Sequence, residues 1–153
     1  MDKYAILLGY FDKQWSFIEK MQQQIVSIHL SSYESRYVFA LKTQQFYTAI
    51  EDLLKQVAKS FENHIENLSE FHKGLLLRLQ TDIPSIRPKL LSDSSFRLLD
   101  KIRAFRHFVR HAYDCELQEK ELKQLQQQLA QGYQTLEKDF SAFRHFVQEL
   151  TFS

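Results

Sequence analysis

Apolar residues recur at three- and four-residue steps along most of this chain, the spacing of helices with one buried side. Ile6, Leu7, Phe11, Trp15, Ile18, Met21, Ile25 and Ile28 set that rhythm for a first helix from Asp2 to about His29. Ser31 and Glu34 are spaced as a capping box, in which the serine side chain accepts a first-turn amide and the glutamate reaches back. They open a second long helix through Val38, Leu41, Phe46, Ile50, Leu53, Val57 and Phe61. A break is expected around Asn63–Ser69, then a shorter helix from about Leu68 to Leu79.

Thr81 to Ser95 is expected as loop, because Pro84 and Pro88 lack the amide a helix needs and push their predecessors out of the helical region. Ser92 or Ser94 caps a fourth helix running to about Tyr113. A fifth, rich in Gln, Leu, Lys and Glu, runs from about Glu116 to Leu150; its Gln124–Leu129 stretch resembles coiled-coil surface. Short connections favour antiparallel neighbours. The expected fold is therefore all-α, one domain over 1–153, an antiparallel bundle of about five helices.

Composition supports this. Three Gly and two Pro leave little punctuation for hairpins, and 44% apolar with 14% aromatic residues is enough for a core. Cys115 is the only cysteine, so no intrachain disulfide is possible. The first residues do not resemble a secretory signal, and no apolar run approaches the roughly 20 residues of a membrane span. A soluble cytoplasmic protein is the expectation.

Net charge is only +1, but it is unevenly spread. Between Arg87 and His111, seven Lys and Arg face Asp93 and Asp100, a local excess of five over a remainder at −4. On the fourth helix, at roughly 100° per residue, Arg106, His107, Arg110 and Asp114 fall within roughly 60° of Arg103. His111 and Tyr113 flank this stripe, while Leu98, Ile102, Phe105, Phe108, Val109 and Ala112 take the opposite side. Such a stripe suits an ordinary solvated face. Three arginines at helix-neighbour spacing repel one another, however, with only Asp114 and Asp100 near in sequence to relieve them. An anion or a partner chain would answer that repulsion.

The segment Arg106-His107-Phe108-Val109-Arg110-His111-Ala112-Tyr113 fits Arg-x4-His-x-Tyr. It resembles the signature of HEPN ribonuclease toxins, in particular the HepT-like members encoded beside a minimal nucleotidyltransferase (MNT) antitoxin. One departure is visible, since many relatives carry Asn where His107 stands here. The resemblance implies a HEPN-like bundle, RNA (with tRNA favoured) as substrate, no metal or other cofactor, and a homodimer whose two motif helices line one cleft. It also implies that the antitoxin transfers AMP to Tyr113.

The chemistry of these residue types agrees. Cleaving RNA through its own 2′-hydroxyl needs a proton acceptor at that oxygen and positive charge at the phosphorane-like transition state. Imidazole titrates near neutral pH, and guanidinium matches phosphate oxygens with a fork of donors. His111 is thus expected as general base or acid and Arg106 as transition-state stabiliser. Arg103, His107 and Arg110 are candidates for positioning the substrate. Positions five apart stand ~140° around a helix, which makes a two-fold dimer attractive as a way to bring both groups to one phosphate.

Ala104–Val109 recurs letter for letter as Ala142–Val147, but Glu149 and Thr151 stand where His111 and Tyr113 stand in the first copy. The second copy lacks the base and is expected to serve packing or a secondary phosphate contact. His107 and His111 could present two metal ligands, yet no Glu lies between them and no third ligand is evident. Two other readings compete with the nuclease: a non-catalytic HEPN module that binds nucleotide or assists a nucleotidyltransferase, and a plain helical interaction protein.

Overall fold

A computed structural model describes residues 2–62, 72–111 and 116–152. Five helices follow in order: α1 (Lys3–Val26), α2 (Tyr33–Glu62), α3 (His72–Leu79), α4 (Asp93–His111) and α5 (Glu119–Phe152). No strand occurs among the described residues. The all-α bundle read from the periodicity is what the chain forms. The break expected around 63–69, and the start of α3 expected near Leu68, lie outside the described residues.

Local chemistry sets the helix ends. The Asp2 carboxylate accepts the amides of Tyr4 and Ala5 at 2.9 and 3.3 Å, so the first helix starts one residue later than expected. At α2 the cap is Ser32, not Ser31: its hydroxyl accepts the Ser35 amide at 3.1 Å. The return bond comes from the Ser35 hydroxyl to the Ser32 carbonyl at 2.8 Å rather than from Glu34. Ser31 is occupied otherwise. Arg36 ties down the preceding turn by donating to the carbonyls of Leu30 and Ser31, with Leu30 itself buried.

Helices α1 and α2 run antiparallel, as Tyr4 stacks on Phe61 and Gln14 donates to the Ala49 carbonyl. Helix α5 returns along α1, where Trp15 stacks on Phe140 with centroids 4.9 Å apart. At the other end, Gln126 donates to the carbonyls of Ile25 and Ile28, supplying partners for the C-terminal end of α1. One member of the glutamine-rich run thus works inside the bundle. Helix α4 lies between α2 and α5, diagonal to α1. Its close approach to α5 depends on Gly132, where a Cβ would stand 2.9 Å from a Leu98 methyl.

The core is continuous through these helices, with Phe11, Phe39, Phe46, Tyr47 and Phe140 among its fully buried side chains. Each such ring contributes about 1.5–3 kcal/mol by leaving water.

The connection over residues 80–92 aims α4. Ile83 and Arg87 exchange two backbone bonds, and Ser85 between them takes a left-handed φ of 68°. Ser92, one of the two expected caps, accepts the Ser95 amide and donates its hydroxyl to Asp139 on α5 at 2.6 Å. Arg87, counted above with the basic segment, is no part of any surface. Its fully buried guanidinium donates to Glu62 and to the carbonyls of Arg78, Thr81 and Pro88.

Candidate functional site

Burial along α4 stops halfway. Ser95, Leu98, Leu99 and Ile102 are buried, whereas Phe105 and Val109 are half-buried and Phe108 is 42% exposed. All three were expected inside the bundle. Among the described residues α3 meets α4 on its first half, through Lys73 beside Asp100 and Gln80 bonded to Asp93. The second half leans on the start of α2, where Phe105 meets Phe39 edge-on at 6.1 Å. That uncovered half carries the motif.

The cationic stripe is tethered differently at each arginine. Arg103 bonds Asp100 at 2.9 Å, one of the two carboxylates expected to relieve the stripe. Asp114, the other, lies outside the described residues, as do Ala112, Tyr113 and Cys115. Arg106 departs from the expectation of an outward face. Its side chain is only 13% exposed, with Nη1 3.7 Å from Oε1 of Glu51 and the guanidinium over the Tyr47 ring at 5.6 Å. Glu51 is itself buried, and the same oxygen takes Lys55 at 3.3 Å. Burial, reinforced by the charge of Glu51, pushes the Tyr47 hydroxyl far above its ordinary range, so this ring stays a neutral phenol. A carboxylate and an aromatic face therefore hold Arg106 in place before any substrate arrives.

Sequence reasoning missed both Glu51 and Tyr47. A signal existed: positions 43, 47, 51, 54 and 58 follow one helical line on α2, and all are buried. A glutamate on an apolar line marks a buried counter-charge.

Arg110 has no carboxylate partner among the described residues and is exposed, as are His107 and His111, whose ring centroids are 4.4 Å apart. Arg103, Arg106, His107, Arg110 and His111 together line one groove of about 260 Å³, with no acidic side chain in its wall among the described residues. All five residues singled out from the sequence for catalysis and substrate contact meet there, within one chain, despite the angle between Arg106 and His111. Chemically this is an anion site with an imidazole at its edge. No three His, Cys, Asp or Glu side chains gather as a metal site among the described residues.

The second Ala-Phe-Arg-His-Phe-Val copy is structural. Arg144 grips Asp12 of α1 through two bonds of 2.7 and 3.0 Å, and His145 lies 3.3 Å from Glu149. Of the two roles left open for it, packing is the one the geometry gives. The Arg144 bonds hold the Asp12 carboxyl below the usual carboxylate range. A lowered pKa means that the pair adds stability at neutral pH and loses it as pH falls through the folded-state value. Asp12 is 60% exposed, so Asp12→Asn is expected to cost no more than about 1 kcal/mol at pH 7. Thermal melts should show that difference from wild type closing in acid; a constant difference would contradict it.

No curated protein matches the chain, and no solved structure does. A family model described as HepT-like protein matches residues 38–147, which takes in nearly all of α2, the whole of α3 and α4, and most of α5. The match spans most of the chain and every residue of the cationic groove, and the fold is the helical bundle expected of that family: the chain belongs to the HepT-like family of HEPN proteins.

Proposed function

We propose that this protein is a metal-independent RNA endonuclease, a toxin when free, that acts as a homodimer. The observation that carries the reading is the groove itself, where three arginines and two histidines meet. His111 takes the proton of a ribose 2′-hydroxyl as the 2′-oxygen attacks the adjacent phosphorus. The P–O5′ bond breaks, and the departing 5′-oxygen receives a proton from an imidazolium, leaving a 2′,3′-cyclic phosphate and a 5′-hydroxyl. Arg106, prepositioned by Glu51 and Tyr47, offsets the charge that grows on the phosphoryl oxygens. Arg103, His107 and Arg110 position the substrate, with tRNA favoured.

Support for pairing comes from the uncovered apolar surface. Phe108 is exposed on α4, and so are Tyr37, Val38 and Leu41 on the adjoining start of α2. Apolar side chains beside a functional groove suit a two-fold contact that would bring two motif helices to one cleft.

In this reading Tyr113, two residues beyond His111, is the site where a cognate nucleotidyltransferase adds AMP. The added phosphate and bulk would compete with substrate for the same arginines. No helix among the described residues is long and apolar enough to cross a membrane.

The test is one assay with two arms, in which purified protein is incubated with total RNA in EDTA before and after treatment with that nucleotidyltransferase and ATP. Cleavage without metal is expected, then its loss together with a mass gain of one AMP on Tyr113. Intact RNA in the first arm would sink the nuclease. Intact RNA with Tyr113 still modified would favour a non-catalytic module serving the transferase.

A further inference from the structure

Arg106 and Arg110 also close one end of a second groove, of about 470 Å³, which crosses α2 towards α1. Its wall is chemically unlike that of the first. It carries the ring of Phe17, the amides of Gln14 and Gln44, and the carboxyl of Asp52. We propose that this groove is a base-recognition subsite that takes an unpaired guanine flanking the cleaved phosphate. The inference rests on the ribonuclease reading and adds a specificity to it.

Continuity comes first. A phosphate held by Arg106 and Arg110 in the smaller groove places the attached nucleoside at the mouth of the larger one, because the same two side chains line both. Single-stranded RNA is read by stacking a splayed base on an exposed aromatic ring and bonding its edges. Phe17 is 41% exposed and shares the wall with the polar side chains of Gln14, Gln44, Thr48 and Asp52.

The acceptors then select the base. Asp52 is half-buried and makes no hydrogen bond or ion pair among the described residues. Burial, the largest influence on it, pushes its carboxyl above the usual range. N–H donors would relieve that penalty. Gln14 and Gln44 each commit one amide N–H to a backbone carbonyl, of Ala49 and Ala40, which fixes the side chains and leaves each oxygen as a further acceptor. Guanine is the base that sets two donors side by side, the ring N1–H and the exocyclic amine, matching the two oxygens of one carboxylate. Its O6 and N7 accept the fork of an arginine, and Arg110 has no carboxylate partner among the described residues. Adenine and cytosine set an acceptor nitrogen beside their amine. Uracil offers a single N–H between two acceptors.

Four short unstructured RNAs that differ only in the base on one side of the cut, and four that differ on the other, provide the test in EDTA. Wild type is expected to cut the guanine member of one set about ten-fold faster than its siblings. Asp52→Asn keeps the side-chain shape and removes a charge that burial disfavours, so it should fold normally. It is expected to cut all four within about three-fold of one another, while Phe17→Ala raises KM for the whole set. A wild-type enzyme indifferent to both positions, or a guanine preference intact in Asp52→Asn, would overturn the subsite. If wild type cuts no RNA, the ribonuclease reading fails separately. Calorimetry with the four nucleoside monophosphates then decides the groove on its own: guanosine monophosphate bound tightest by wild type, with that rank lost in Asp52→Asn, supports it, and equal binding refutes it.

Discussion

Replacing His111 with alanine is expected to lower RNA cleavage by roughly 10²- to 10⁴-fold, the span over which a positioned proton acceptor contributes. The melting temperature should not move. His111 is exposed and, among the described residues, its ring meets only that of His107, so the substitution leaves no buried group without a partner. This separation of activity from folding makes His111 a better probe than Arg106. Removing Arg106 would take a cation from the buried Glu51 carboxylate, and lost packing would mix with lost chemistry. His107→Ala belongs beside it as a comparison, with a smaller loss expressed in KM. Cleavage by His111→Ala within a few-fold of wild type, measured on the same RNA without metal, would remove histidine 111 from the mechanism.

The second large effect is on stability. Arg87→Ala is expected to destabilise the protein by about 3–5 kcal/mol, the usual result of removing one member of a buried ion pair. For a chain of this size that is a fall in Tm of roughly 6–20 °C. The guanidinium is fully buried and joins the end of α2, the end of α3 and the loop before α4 through four bonds. Without it, three carbonyls lose a donor, and among the described residues Glu62 keeps only Arg78, at 3.6 Å. Arg87→Lys should rescue little, since an ammonium cannot reproduce a planar fork aimed at separate acceptors. Thermal melts of the two variants decide it; a shift of a degree or two would mean the clamp is dispensable.

These two arginines show what a sequence does and does not disclose. Helical periodicity, the prolines at 84 and 88, and the cap at Ser92 were local signals, and the elements they foretold formed. The groove was legible because its members, Arg103 to His111, sit within nine residues of one helix, so their common face follows from geometry alone. Arg87 read as one more surface cation because its counter-charge, Glu62, lies 25 positions away at the end of α2 and the α3 carbonyl it holds lies nine away. Arg106 misled in the same way: its counter-charge, Glu51, lies 55 positions away on α2. Phe105, Phe108 and Val109 erred in the opposite sense. Their apolar character was plain, but burial requires a neighbour, and among the described residues α3 meets only the first half of α4.

That uncovered end of α4 bears on dose. If two chains must meet over Phe108 and its neighbours on α2 before the cleft is complete, working sites form in proportion to the square of the protein present, as long as it stays below the dissociation constant of the pair. Stray copies left by imperfect repression would then do little harm. A modest surge, such as loss of the partner that modifies them, would cross into toxicity abruptly.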